Sequence, residues 1–239
     1  MDPRDAGSTS ADRAPSNPVL LVHGILGNRH LYWNIVRRRL IRDGFRVHEV
    51  TLPYGMLGDM RLAARHLRDK VEACLIGDEA SHMDLVCHSA GGLVARYYLK
   101  YLGGDRVVDH MVTLGTPHLG TYFSHLFTLP AMSIARQTRP GSHFLHEING
   151  PGAVSGRVRY TNFWTPLDGI VIPHHNAVLP GAHNIKVPFA THWSLLWSRA
   201  IYEQVREALL EGGLQERLAT GPDRVDLAKS ARGEAAEAA

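Results

Sequence analysis

The chain is poor in cysteine. Its two cysteines, Cys74 and Cys87, among 239 residues exclude a disulfide framework, and their spacing makes no zinc site. No apolar run is long enough to span a bilayer. An excess of one charge is missing too: 26 Lys and Arg face 23 Asp and Glu, a net +3, so nothing in the balance requires nucleic acid or an anionic membrane. The one basic run, Arg37-Arg38-Arg39-Leu40-Ile41-Arg42, reads as a solvated helix face. Residues 1–17 lack the apolar core of a signal peptide, so the literal expectation is a cytoplasmic protein. A chain whose leader had been removed would read the same.

What is present is 44% hydrophobic residues, enough for a sizeable core. Residues 1–17, rich in Asp, Ser, Ala and Pro, are expected to be a disordered lead-in. Residues 18–212 form one expected domain. The pair Gly212-Gly213 closes the last helical pattern, and 213–239 reads as a polar tail. No internal repeat is visible.

Short apolar runs at 18–22, 45–52, 83–87, 107–114, 158–164 and 184–187 read as strands. Helical spacing fills 30–43, 60–76, 90–102 and 192–211, and 119–150 reads as helical in pieces. This alternation predicts an α/β fold, a mostly parallel, doubly wound sheet with helices on both faces.

The stretch "DLVCHSAGGLVARYYL", residues 84–99, places Ser89 where a strand ends and a helix begins. Sites in parallel α/β sheets lie at the carboxyl ends of strands. A serine on so sharp a turn projects its hydroxyl above the sheet, and the turn needs small neighbours such as Ala90, Gly91 and Gly92. An ordinary helix N-cap is the other reading of the pentapeptide alone.

The string Cys87-His88-Ser89-Ala90-Gly91 resembles the G-x-S-x-G nucleophile elbow of the α/β-hydrolases, with Cys87 in place of the first glycine. Further strings resemble those of compact bacterial triacylglycerol lipases. Leu20-Leu21-Val22-His23-Gly24-Ile25-Leu26-Gly27 is similar to their His-Gly oxyanion loop. Thr113-Leu114-Gly115-Thr116-Pro117-His118-Leu119-Gly120-Thr121 resembles their TLGTPHxGT segment, and 139–145 looks like another family segment. Leu167-Asp168-Gly169-Ile170-Val171-Ile172-Pro173 resembles the acid loop. Thr191-His192-Trp193-Ser194-Leu195-Leu196 resembles the histidine loop, with Thr191 where the family usually has Gly. The likeness runs from about 18 to 205.

That resemblance implies the α/β-hydrolase fold with a minimal lid or none, and a lipase or carboxylesterase. Ser89 would be the nucleophile, His192 its base and Asp168 the acid that orients it, in the chain order Ser, Asp, His. The backbone N–H groups of Ile25 and Ala90 would hold the oxyanion. His23, Gly24, Leu26, His88, Phe123 and Phe127 are the expected substrate contacts.

Each assignment has a plainer counterpart. Asp168-Gly169 also suits a turn, and His192 is one of fifteen histidines. His174, His175 and His183 precede the last strand, so chain order disfavours them as base. His174 and His175 with Asp168 could suggest a metal site, but neighbouring residues in a loop rarely both ligate, and one of the pair with Asp168 leaves no clear third ligand. The expected partner is a small-molecule or lipid ester, with no cofactor, metal, nucleic acid or integral membrane segment. Thioesterase, amidase and acyltransferase chemistry on the same fold, or a non-catalytic binding member, remain open. Segment 119–150 reads either as core or as an apolar wall over Ser89, with at most weak activation at an oil–water interface.

Overall fold

The computed structural model describes residues 17–25, 27, 32–125 and 132–220. The expected lead-in 1–17, apart from Asn17, lies outside them, as do Leu26, Phe127 and residues 221–239.

The strands are β1 (Val19–Val22), β2 (Val47–Val50), β3 (Met83–His88), β4 (Val108–Leu114), β5 (Arg159–Trp164) and β6 (His183–Lys186). They form one sheet in the order β2-β1-β3-β4-β5-β6, and every neighbouring pair is parallel. The helices are α1 (Asn34–Arg42), α2 (Met60–Gly77), α3 (Ala90–Tyr101), α4 (Ser133–Gln137), α5 (His143–Asn149), α6 (Ser194–Trp197) and α7 (Arg199–Thr220). Chain order reverses between β1 and β3, which opens a crevice at their carboxyl ends.

Alternation along the strands divides the core in two. Leu20, Val22, Leu85, Cys87 and Met111 pack with α2, α3 and α5 on one face. Val19, Leu21, Val86, Val112 and Phe163 pack with α1, α6 and α7 on the other. This double burial explains why β1 and the Leu85-Val86-Cys87 centre of β3 are apolar without a polar phase, and each large side chain so buried stabilises by about 1.5–3 kcal/mol. α2 buries Met60, Ala63, Ala64, Leu67, Val71 and Cys74 at helical spacing, and Asp59 caps it by accepting the Arg61 N–H at 2.7 Å. α1 buries Val36 and Leu40 and leaves Arg37, Arg38 and Arg42 exposed, as a solvated basic face requires.

Two boundaries differ from the sequence reading. The helical pattern at 192–211 is two helices, because Ser198 is extended (φ −61, ψ 130) and its carbonyl accepts the Tyr202 N–H of the new helix. α7 then runs through Gly212-Gly213 to Thr220. Glycine costs a helix about 1 kcal/mol but keeps its N–H, so flanking Leu214, Gln215, Glu216 and Arg217, all good helix formers, carry the helix on.

Segment 119–150 is built in pieces: a 3-10 turn at Tyr122–His125, then α4 and α5, whose Ile134, Phe144, Leu145 and Ile148 enter the core. No helix among the described residues is long and apolar enough to cross a membrane.

A buried polar layer crosses the middle of the sheet. The Thr113 hydroxyl donates to Asn162 Oδ1 at 2.8 Å, and the Asn162 amide donates to the Ala177 carbonyl and to Asn184 Oδ1, both at 2.8 Å. Arg96 reaches the carbonyls of Ile148 and Ala153 and lies 3.5 Å from His118 Nδ1. Its partners are thus carbonyls and a ring nitrogen, and burial pushes its guanidinium down to about 10. Burial and the nearby Arg96 hold His118 well below the usual histidine range. Burial also pushes His110 down to about 3.

These histidines stay neutral when folded and take up protons near the ordinary value of about 6.5 when unfolded. The unfolded state therefore binds more protons below that pH, and stability falls as pH falls. For His110 the loss reaches about 2 kcal/mol at pH 5. Thermal unfolding should shift to lower temperature between pH 7 and pH 5. His110→Gln, which keeps a donor for Thr161, should shrink that shift; an unchanged shift would show that His110 is not a source of it.

Candidate active site

Ser89 follows β3 directly and has φ 54, ψ −134, a conformation that costs a non-glycine residue on the order of 1–3 kcal/mol. The fold holds it there. The Ser89 N–H donates to the Leu114 carbonyl at 2.9 Å, and its carbonyl accepts from Thr116 Oγ1 at 2.8 Å and from the Gly92 N–H at 3.1 Å. Three glycines give the turn room. A Cβ on Gly24 would lie 2.7 Å from Ser89 Cβ, one on Gly91 2.5 Å from the His23 carbonyl oxygen, and one on Gly92 2.2 Å from Thr116 Oγ1. The Ser89 side chain makes no capping bond to α3, so its hydroxyl is not spent as an N-cap. Cys87 beneath it is fully buried in the core, and burial pushes its thiol up.

Asp168 lies in the loop after β5. Its Oδ1 accepts the N–H groups of Ile170 and Val171 at 2.8 and 2.9 Å, which fixes the carboxylate and turns Oδ2 to His192 Nδ1 at 2.8 Å. The two side chains are 0% and 4% exposed. His192 ends the loop after β6, which Thr165 Oγ1 anchors at the Ala190 carbonyl, 2.6 Å away. With Nδ1–H donated to Asp168, Nε2 keeps its lone pair, the state a general base needs. Gly115 has φ 58, and a Cβ there would sit 3.1 Å from His192 Nδ1 and 3.3 Å from Asp168 Oδ2. Ser89 thus bonds to Leu114 while the Asp168–His192 pair packs against Gly115, so both lie at the exit of β4. His88 and His192 have ring centroids only 4.6 Å apart.

The other expected residues divide. Ala90 opens α3, where the first N–H groups have no partner within the helix. Ile25 follows Gly24 against Ser89, and its side chain packs on the core. His23 and His88 are fully buried with both ring nitrogens occupied by protein, which leaves neither nitrogen for a substrate. His23 Nε2 accepts the Leu52 N–H at 3.0 Å, so its Nδ1 donates to the Gly24 carbonyl at 2.7 Å. Burial lowers its pKa, partly offset by that bond. Phe123 is half-buried in the Tyr122–His125 turn, which is tied to the acid loop by Tyr122 N–H to the Ile172 carbonyl and Thr121 Oγ1 to the Ile170 carbonyl, at 2.8 and 2.6 Å.

His174 stacks on Trp164 and His175 meets it edge-on, in a 3-10 turn; His183 opens β6 and is exposed. Among the described residues no three His, Cys, Asp or Glu are grouped to hold a metal ion. A cleft of about 370 Å³ lined by His110, Ser155, Tyr160 and His183 lies at the opposite, amino-terminal ends of the strands. Two residues at the site escape the sequence reading: Tyr32, which lies in no recognised string, and Trp193, flagged only by standing beside His192.

Solved structures of similar shape include lipase B of Aspergillus fumigatus, at 20% identity and a TM-score of 0.69, covering 81% of this chain and 52% of that one. The mature form of a Bacillus licheniformis lipase gives 19% identity and a TM-score of 0.69 over 83% of this chain and 93% of that one. The chain has the α/β-hydrolase fold. Within that class it belongs to the palmitoyl protein thioesterase family, whose model matches residues 18–166. That match includes Ser89 and the His23-Gly24 loop and ends before Asp168 and His192. Among curated proteins it is 32% identical over 114 residues to triacylglycerol lipases of Pseudarthrobacter phenanthrenivorans and Burkholderia plantarii, 45% of this chain in each case. The matches span about a third of those proteins, 35% and 31%.

Asp168→Asn would place a neutral amide against His192 Nδ1 and favour the tautomer with the proton on Nε2. On the expected roles of Ser89 as nucleophile and His192 as its base, turnover of an activated ester should then slow by on the order of ten-thousandfold. Near-normal turnover in this variant would move the expected acid to another residue.

Proposed function

We propose that this chain hydrolyses carboxylic esters through Ser89, His192 and Asp168. The observation that carries the reading is the buried Asp168–His192 pair, 2.8 Å apart, beside a serine held on a strained strand-to-helix turn. Ser89 Oγ attacks the ester carbonyl while His192 Nε2 takes its proton, and the N–H groups of Ala90 and Ile25 hold the oxyanion. The tetrahedral intermediate collapses, the acyl group stays on Ser89 Oγ, and the alcohol leaves with the proton from His192. Water, deprotonated by His192, then attacks the acyl-enzyme and releases the acid, returning the proton to Ser89. The chemistry uses side chains and backbone alone.

Family membership favours a second substrate on the same route, a long-chain thioester. There the leaving group is a thiol, and the steps on Ser89 are unchanged. The two readings differ in the leaving group, so nitrophenyl esters and S-acyl cysteine peptides with the same acyl chain separate them by kcat/KM.

A fluorophosphonate should label the protein once, and Ser89→Ala should abolish the label and lower kcat by roughly a millionfold. Undiminished labelling of Ser89→Ala would refute the assignment. If Phe123 lines the acyl site, each methylene buried adds about 0.8 kcal/mol, close to fourfold in kcat/KM, until the site is full. Phe123→Ala should flatten that rise. A series flat in the wild type would place the acyl chain elsewhere.

A further inference from the structure

We propose that Tyr32 and His88 are positioning residues that fasten the oxyanion loop and the His192 loop to the elbow through one directed hydrogen-bond chain. The inference rests on the hydrolase reading above. His88 Nε2 lies 2.9 Å from the His192 carbonyl oxygen, which can only accept, so Nε2 carries the proton. His88 Nδ1 therefore accepts, and Tyr32 Oη, 2.5 Å away, donates to it. The same oxygen lies 3.4 Å from the Gly24 N–H, which donates to it. The chain thus runs from Gly24 N–H to Tyr32 Oη, from Tyr32 to His88, and from His88 to the backbone of His192.

The loops after β1 and β6 and the last residue of β3 are joined by two side chains. Burial, and next the neighbouring His192, hold His88 well below the usual histidine range, so it keeps one donor and one acceptor. Burial raises the Tyr32 phenol, which stays a donor. Trp193 covers the pair, with ring centroids 5.8 Å from each. Nothing else in the proposed chemistry uses either residue. His88 has no exposed surface, so its action passes through the groups it holds.

The test uses p-nitrophenyl butyrate and the full chain, with wild type and Ser89→Ala alongside. Glutamine places an amide N–H near the position of His88 Nε2, and asparagine places an acceptor near Nδ1. His88→Gln keeps the bond to His192 and should lower kcat less than about threefold. His88→Asn loses it and should lower kcat about tenfold or more, with KM within twofold of wild type. Tyr32→Phe strips partners from both Gly24 and His88 and should also lower kcat about tenfold. Thermal unfolding checks that each variant is folded, and Tyr32→Phe decides if His88→Asn is not.

Equal losses in the Gln and Asn variants, or kcat for Tyr32→Phe within twofold of wild type, would overturn the positioning role alone. A wild type without esterase activity, or activity that survives Ser89→Ala, would overturn the hydrolase reading and this inference with it.

Discussion

The left-handed backbone at Ser89 sets the terms for its surroundings. A side-chain-bearing residue at φ 54 is held against its own preference. Here the hold comes from the Leu114 carbonyl and the Thr116 hydroxyl, both supplied by the exit of β4. Such a turn leaves no space for a Cβ on the neighbouring chain, and glycine stands at positions 24, 91 and 92 where the approaches are closest. The His-Gly, Ser-Ala-Gly-Gly and Gly-Thr-Pro strings, far apart in sequence, are three walls of the same turn.

Around that turn, histidine is used mainly as a neutral connector. A neutral imidazole offers one donor and one acceptor at fixed angles, which suits a bridge between two loops. His23 bridges the Leu52 N–H and the Gly24 carbonyl, and His88 bridges Tyr32 and the His192 carbonyl. His192 differs because its Nδ1 faces a carboxylate, while its ring lies beside that of His88. The number of histidines thus says little about which one does chemistry; the partner on Nδ1 says more.

The sheet is legible in sequence because β1 and the Leu85-Val86-Cys87 centre of β3 are buried on both faces and carry continuous apolar runs. Asp168 and His192 stand out through the strings that contain them, and these two lie in contact. The helix end at Gly212-Gly213 misleads because a glycine pair weakens a helix without removing a hydrogen-bond donor. The break at Ser198 is hidden because the apolar spacing continues across it. The buried state of His23 and His88 is invisible for another reason: the Tyr32–His88 contact joins positions 56 apart, and no local pattern encodes such a pairing.

The order of the loops along the chain has a consequence for synthesis. His88, beside the proposed nucleophile, precedes His192 by 104 residues, and β4, β5 and β6 must be made and paired before that histidine can reach it. Translation runs from the amino terminus, so the serine leaves the ribosome long before its base exists. On the proposed chemistry the nascent chain is inert toward acyl groups in the cell, and reactivity appears only when the last strand closes the sheet.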